Sequence, residues 1–177
     1  MASPQTIARS AGALYVITIV AGTCAFVLSS VAANLLAGLA YVGVTVLFYF
    51  VFEPVSRGVS LLAALVSLAG CAIGALTAAA IVRFPVNALA FFGVYCLLIA
   101  YLISRSEFLP RFLAVFMAIG GIGWLTFLVP PLSRALAPFN MLPGVIAETT
   151  LTLWLLIKGV DVQRWNEQRR RAVESSP

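Results

Sequence analysis

Six apolar runs, at about residues 11–32, 34–52, 59–82, 86–104, 112–129 and 143–158, decide what this chain of 177 residues can become. A helix needs about 20 apolar residues to cross a bilayer core of about 30 Å, and each run comes near that length. Hydrophobic residues make up 62% of the chain and charged residues 10%, against about 25% charged in an ordinary soluble domain. A soluble globule is excluded. The fold class read from this pattern is an all-α polytopic membrane bundle, with a six-helix transmembrane domain at 1–160 and a basic tail at 161–177.

Polar residues and prolines punctuate the runs. The breaks hold Asn34 after Ser29 and Ser30, then Glu53, Pro54 and Arg57, then Arg83 and Pro85, then Ser104 to Arg111 with Pro110, then Pro130 to Pro143. The first break is the weakest, so the opening stretch reads as a tight helical hairpin, with one long or broken helix as the alternative. Arg9, an apolar run and Val31-Ala32-Ala33 together imitate a signal peptide. The run is longer than the usual 7–15 residues of such a segment, so it is expected to be a retained helix.

Counting Lys and Arg on alternate sides gives an orientation. Arg9, Arg57, Arg105, Arg111, Lys158, Arg164, Arg169, Arg170 and Arg171 fall on one side, and Arg83 and Arg134 on the other. The positive-inside rule then places both termini in the cytoplasm. Arg164, Trp165, Arg169, Arg170 and Arg171 are expected to bind the membrane surface, since each cation near anionic lipid contributes about 1 kcal/mol. The basic balance is therefore a lipid signal, with no nucleic acid implied.

Histidine is absent, which removes imidazole catalysis and the usual zinc and haem ligands. Cys24, Cys71 and Cys96 lie on separate runs and read as small buried hydrophobes. No catalytic residue, metal site or cofactor is expected. Ser67, Gly70, Gly74 and Thr77 share one helix face, as do Tyr15, Thr18 and Gly22, while Gly120, Gly121 and Gly123 precede Trp124. Such faces serve close helix packing, and the Gly70/Gly74 helix is expected to lie centrally, with self-association or docking to other membrane proteins through that face as a further expectation.

Glu148 is the one acid well inside a run. An unpaired ionised group there costs at least a few kcal/mol, so something must compensate it. Thr152 lies one turn away on the same face. The last run starts on the outer side, which puts Glu148 in the outer half, near Asn34, Arg83, Asn87, Arg134 and Asn140. Three readings follow: a structural plug bonded to an arginine, a recess for the headgroup of a lipid or other amphiphile lined by Glu148, Thr152, Asn34, Arg83, Asn87 and Arg134, or a proton-carrying or catalytic carboxyl.

Several strings carry a family resemblance: Ile7-Ala8-Arg9-Ser10-Ala11-Gly12-Ala13-Leu14-Tyr15, Glu53-Pro54-Val55-Ser56-Arg57, Ser104-Arg105-Ser106-Glu107-Phe108-Leu109-Pro110-Arg111, and Glu148 followed by Leu153-Trp154-Leu155-Leu156-Ile157-Lys158-Gly159-Val160. They resemble the bacterial membrane proteins grouped as the domain of unknown function 4386 family. That resemblance implies a polytopic protein of the bacterial inner membrane and brings no activity or cofactor. The expected role is non-enzymatic: binding an amphiphile or acting as a subunit of a membrane complex. A small proton-coupled transporter, or a membrane-embedded enzyme acting on a lipid or isoprenoid through Glu148, is the alternative.

Overall fold

The computed structural model describes residues 3–174 and is all-helical over that range. Eight α-helices follow in order: α1 (Pro4–Leu28), α2 (Val31–Phe52), α3 (Arg57–Ala78), α4 (Ala88–Arg105), α5 (Arg111–Leu125), α6 (Pro130–Leu136), α7 (Leu142–Ile157) and α8 (Val162–Glu174). Six segments among the described residues are long and apolar enough to cross a membrane, the last two with a 3-10 turn added: Arg111–Leu128 for α5 and Phe139–Ile157 for α7. The six-span reading holds.

Each of these helices packs on the next in sequence, and α7 returns to α1, so α1, α2, α3, α4, α5 and α7 close a ring. Tyr15, Tyr95, Phe52, Ile99, Leu113, Met117, Leu151 and Leu155 fill its middle and are almost wholly buried. Phe26, Leu39, Leu65, Ile122 and Ile157 stand on the perimeter, each more than half exposed, as suits helices whose outer faces meet lipid.

Local signals explain where the helices begin and end. The hydroxyl of Ser3 accepts from Thr6 N, and Pro4 opens α1; a capping Ser and a first-turn Pro both favour a helix start. The helix therefore starts seven residues before the expected boundary. Ser29 turns left-handed at φ 50°, and Ser30 caps α2 through Ala33 N. The hairpin reading holds, but the break is at the serine pair, and Asn34 is an exposed residue of the first turns of α2.

Glycines set the close helix contacts. Gly93 of α4 and Gly121 of α5 face each other's carbonyl groups so closely that a Cβ on either would meet the other's oxygen at 3.0 and 2.9 Å. Gly120 meets Ala147 and Gly144 of α7 in the same way. Gly70 is pressed against Phe91 and Phe92, and Gly74 lies beside Ala88. The Gly70/Gly74 face thus packs on the chain's own α3–α4 seam. The expectation of a central α3 also gives way, because α3 is one stave of the ring, between α2 and α4.

The end of the bundle that carries both termini is laced by side chains. Gln5 donates to Lys158 O at 3.0 Å and accepts from Val160 N at 3.0 Å. Gly159, at φ 71°, ends α7 with the Gln5 amide where a Cβ would stand, so only glycine fits that turn. Beyond it, the tail forms α8 and docks on the loop before α5. Trp165 is 6% exposed and donates its indole N–H to Val51 O at 2.9 Å. Glu107 accepts from both guanidinium nitrogens of Arg171, at 3.0 and 2.5 Å, and its backbone N–H donates to Gln168 at 3.1 Å.

The expected membrane-surface role of the tail changes accordingly. Trp165 is buried in protein, satisfying a carbonyl at the end of α2, and so cannot anchor in headgroups. Arg169 lies over its ring, 5.3 Å from the centroid; Arg164 pairs with Asp161 at 3.5 Å, and Arg170 is exposed. Arg171, by hydrogen bond and charge, holds the Glu107 carboxyl below its ordinary range. A carboxyl lowered in the folded state contributes fully above its ordinary value of about 4.3 and loses that contribution as pH falls through the lowered value. Measured against intrinsic exchange at each pH, the protection of α8 amides should therefore fall on acidification, and Glu107→Gln should remove most of that response; an equal loss of protection in the variant contradicts the pairing.

Candidate functional site

The inward face of α7 is written by spacing: Gly144, Ala147, Leu151, Thr152 and Leu155 are buried, and Glu148 is half-buried among them. Glu148 is also the middle residue of the span Phe139–Ile157. Its carboxylate accepts the Trp124 indole N–H at 2.9 Å and lies 3.8 Å from the Cys96 thiol. One acid thus gathers donors from α5 and α4, and both are neutral.

Gly144 makes this geometry possible. A methyl group at that position would overlap the five-membered edge of the Trp124 indole, including Nε1. Without it, the ring lies against the α7 backbone with its N–H aimed one turn onward, at Glu148.

Hydroxyls and aromatic rings surround the carboxyl. The Tyr15 and Tyr41 hydroxyls are 3.2 Å apart, with their rings edge to face at 5.4 Å. Tyr41 also meets Phe92 and Tyr95 edge to face, at 4.8 and 5.8 Å; such pairs add about 0.5–1.5 kcal/mol each beyond burial. Thr45 bonds Ser67 at 2.6 Å. Thr152 Oγ1 is buried without a hydrogen-bond partner, an arrangement that costs about 1–3 kcal/mol. The site therefore holds a hydroxyl and a carboxyl beside one another with acceptor and donor capacity to spare.

The residues expected to share this site stand elsewhere. Asn34, Arg83, Asn87 and Arg134 are all exposed at the far end of the bundle. Asn87 caps α4 by accepting from Leu89 N at 2.9 Å, and Arg134 donates to Pro130 O at 3.2 Å. Asn140 is buried and donates to Thr126 Oγ1 at 2.9 Å, holding the turn before α7. No described arginine forms an ion pair with Glu148, so the arginine-bonded plug is replaced by neutral donors. The outer-half placement also moves to mid-span. Trp124, Cys96, Tyr15 and Tyr41 were not paired with Glu148 by sequence reasoning. A usable signal existed: Tyr15, Tyr41 and Cys96 sit near the centres of their spans, whereas tyrosines that anchor in headgroups sit at span ends.

Neither described cleft is lined by Glu148. A narrow one lies between Thr45, Ser60 and Tyr95; a wider one, of about 500 Å³, opens at the end carrying the termini beside Glu107, Arg111, Arg164 and Glu167. The latter is a solvated rim of mixed charge.

The stretch that builds most of this site ends at Gly159 and starts just before α4. Residues 86–159 match the model of a domain of unknown function, DUF4386. No curated protein matches the chain, and no solved structure does. The DUF4386 match covers the Ser104–Arg111 string and nearly all of the string that begins at Glu148, in line with the resemblance read from the sequence. The DUF4386 segment contributes Gly93, Cys96, Gly121, Trp124, Gly144 and Glu148, while Tyr15 and Tyr41 approach from helices outside the matched residues.

Proposed function

We propose that this protein is a non-enzymatic resident of the bacterial inner membrane, with both termini cytoplasmic and lipid on its perimeter, that takes an amphiphilic ligand to Glu148. The carrying observation is the carboxyl at mid-span, half-buried and held by neutral donors alone. The orphaned Thr152 hydroxyl beside it supports the same reading, since a ligand's polar head would satisfy it. Nine of the eleven Lys and Arg residues gather at the end that carries the termini, which supports the orientation.

The α1–α7 seam offers the way in. Tyr15 and Glu148 belong to its two sides. An amphiphile can pass its head through that seam while its tail stays in lipid, so no permanent aqueous cavity is required.

Native mass spectrometry of protein extracted gently from its own membrane tests this reading. Wild type should carry a co-purifying amphiphile, and Glu148→Gln should carry at least about tenfold less, as expected when a charge-assisted contact is lost. Equal ligand in both, or none in wild type, contradicts it.

A further inference from the structure

We infer that the cleft at the end carrying the termini holds the headgroup of a phospholipid bearing both a phosphate and a primary ammonium, with the phosphate on Arg111 and the ammonium on Glu167. This site is separate from Glu148 and does not rest on the reading given above.

Room and depth come first. The cleft encloses about 500 Å³ between the loop before α5 and α8, a volume within the range of about 300–1,000 Å³ usual for small-molecule sites. Ser106 and Leu109, both buried, lie on its loop side. Arg111 is the first residue of the span Arg111–Leu128, so the cleft stands where the apolar core gives way to headgroups. Val115, Ile119 and Ile122 follow Arg111 at helical spacing on the same face of α5, and each is more than half exposed. They form a strip along which an acyl chain can lie below a headgroup held at Arg111.

Charge names the headgroup. Four ionic side chains line the cleft: Glu107, Arg111, Arg164 and Glu167. Two of them are matched within the chain, since Glu107 takes the Arg171 guanidinium and Arg164 pairs with Asp161 at 3.5 Å. The other two are not. Neither Arg111 nor Glu167 enters an ion pair among the described residues, and the Glu167 carboxylate accepts the neutral Gln163 amide at 3.1 Å. One unmatched cation from α5 and one unmatched anion from α8 call for a headgroup of the reverse pattern. A guanidinium binds phosphate through charge-assisted hydrogen bonds, and a primary ammonium brings three N–H donors to a carboxylate. A headgroup with a phosphate alone leaves Glu167 unmatched and sets a second negative charge beside it.

Native mass spectrometry of delipidated full-length protein tests the site, with dioleoyl-phosphatidylethanolamine and dioleoyl-phosphatidylglycerol added as probes of equal tail. Wild type should bind the ethanolamine lipid at least about threefold more tightly. Arg111→Gln should weaken both lipids about fivefold, the effect of one surface cation on a phosphate. Glu167→Gln should weaken the ethanolamine lipid about threefold to fivefold and leave the glycerol lipid unchanged or tighter. Arg111 is exposed and Glu167 partly so, so neither substitution disturbs the packed interior. Because Arg164 and Glu167 belong to α8, Trp165→Ala, which undocks that helix, should abolish the preference.

Equal binding of the two lipids by wild type, or a preference for the glycerol lipid, overturns the headgroup class. A preference that persists in Glu167→Gln overturns the pairing of the ammonium with that acid. Binding that Arg111→Gln leaves unchanged comes from lipid elsewhere on the perimeter and overturns the site, as does the absence of binding by either lipid.

Discussion

Replacing Trp165 with alanine should release α8 while leaving the six-helix ring assembled. The indole is buried, holds Val51 O through a hydrogen bond of 2.9 Å and supports Arg169 on its face. Truncating a buried tryptophan to alanine costs about 3–5 kcal/mol. The other ties of α8 are solvent-exposed polar bonds, among them Glu107 with Arg171 and with Gln168. Exposed ion pairs contribute about 0–1 kcal/mol each, too little to hold the helix alone. A free helix of this length is marginal in water, so α8 should fray once undocked.

Limited trypsin digestion reads this directly, because α8 carries Arg164, Arg169, Arg170 and Arg171. Cleavage in the tail should rise on the order of a hundredfold in Trp165→Ala when it follows the population of the open form. Thermal unfolding of the bundle should change far less. A tail as resistant as wild type would show that Trp165 is not its anchor.

What was legible in the sequence follows from the physics each feature depends on. Membrane spans are a local property of length and hydropathy, and all six were readable. Their ends depended on caps, and there the reading slipped: Ser29 and Ser30 close the first hairpin, and Ser3 with Pro4 opens α1, although Asn34 and position 11 looked like the boundaries. The tail's charge was plain, but its destination was not, because a buried Trp165 and an Arg171 paired with a loop 64 residues away are tertiary facts.

The same division runs through the site. Glu148 stood out because an acid inside a span is expensive. Its partners did not, because charges and polar side chains at the helix ends are the expected compensation for a buried acid, and the structure supplies neutral donors at mid-span. The Gly-Gly-x-Gly stretch before Trp124 was read correctly as packing. Its consequence was hidden: Gly120 brings α5 onto α7, and Gly144 gives the Trp124 indole its place.

Gly144→Ala should therefore disable the site from a position that carries no chemistry. Trp124 is 6% exposed, with little space to move into. Forcing one methyl into a packed interior costs about 1–3 kcal/mol, and the cheapest relief is rotation of the indole away from α7. That rotation breaks the Trp124–Glu148 bond, because both depend on the same ring position. Trp124→Phe removes the donor without adding bulk, and the two variants should behave alike toward Glu148 while differing in stability.

Infrared spectroscopy of the carboxyl band in a bilayer puts the claim that Trp124 holds Glu148 at the centre of the bundle to its most direct test. Subtracting the spectrum of Glu148→Gln isolates the band of this one acid. Both Gly144→Ala and Trp124→Phe should shift that band, each in the direction of a lost hydrogen bond. A band unchanged by either substitution would mean that the Glu148 carboxyl does not meet the Trp124 indole, and the site as described would not exist.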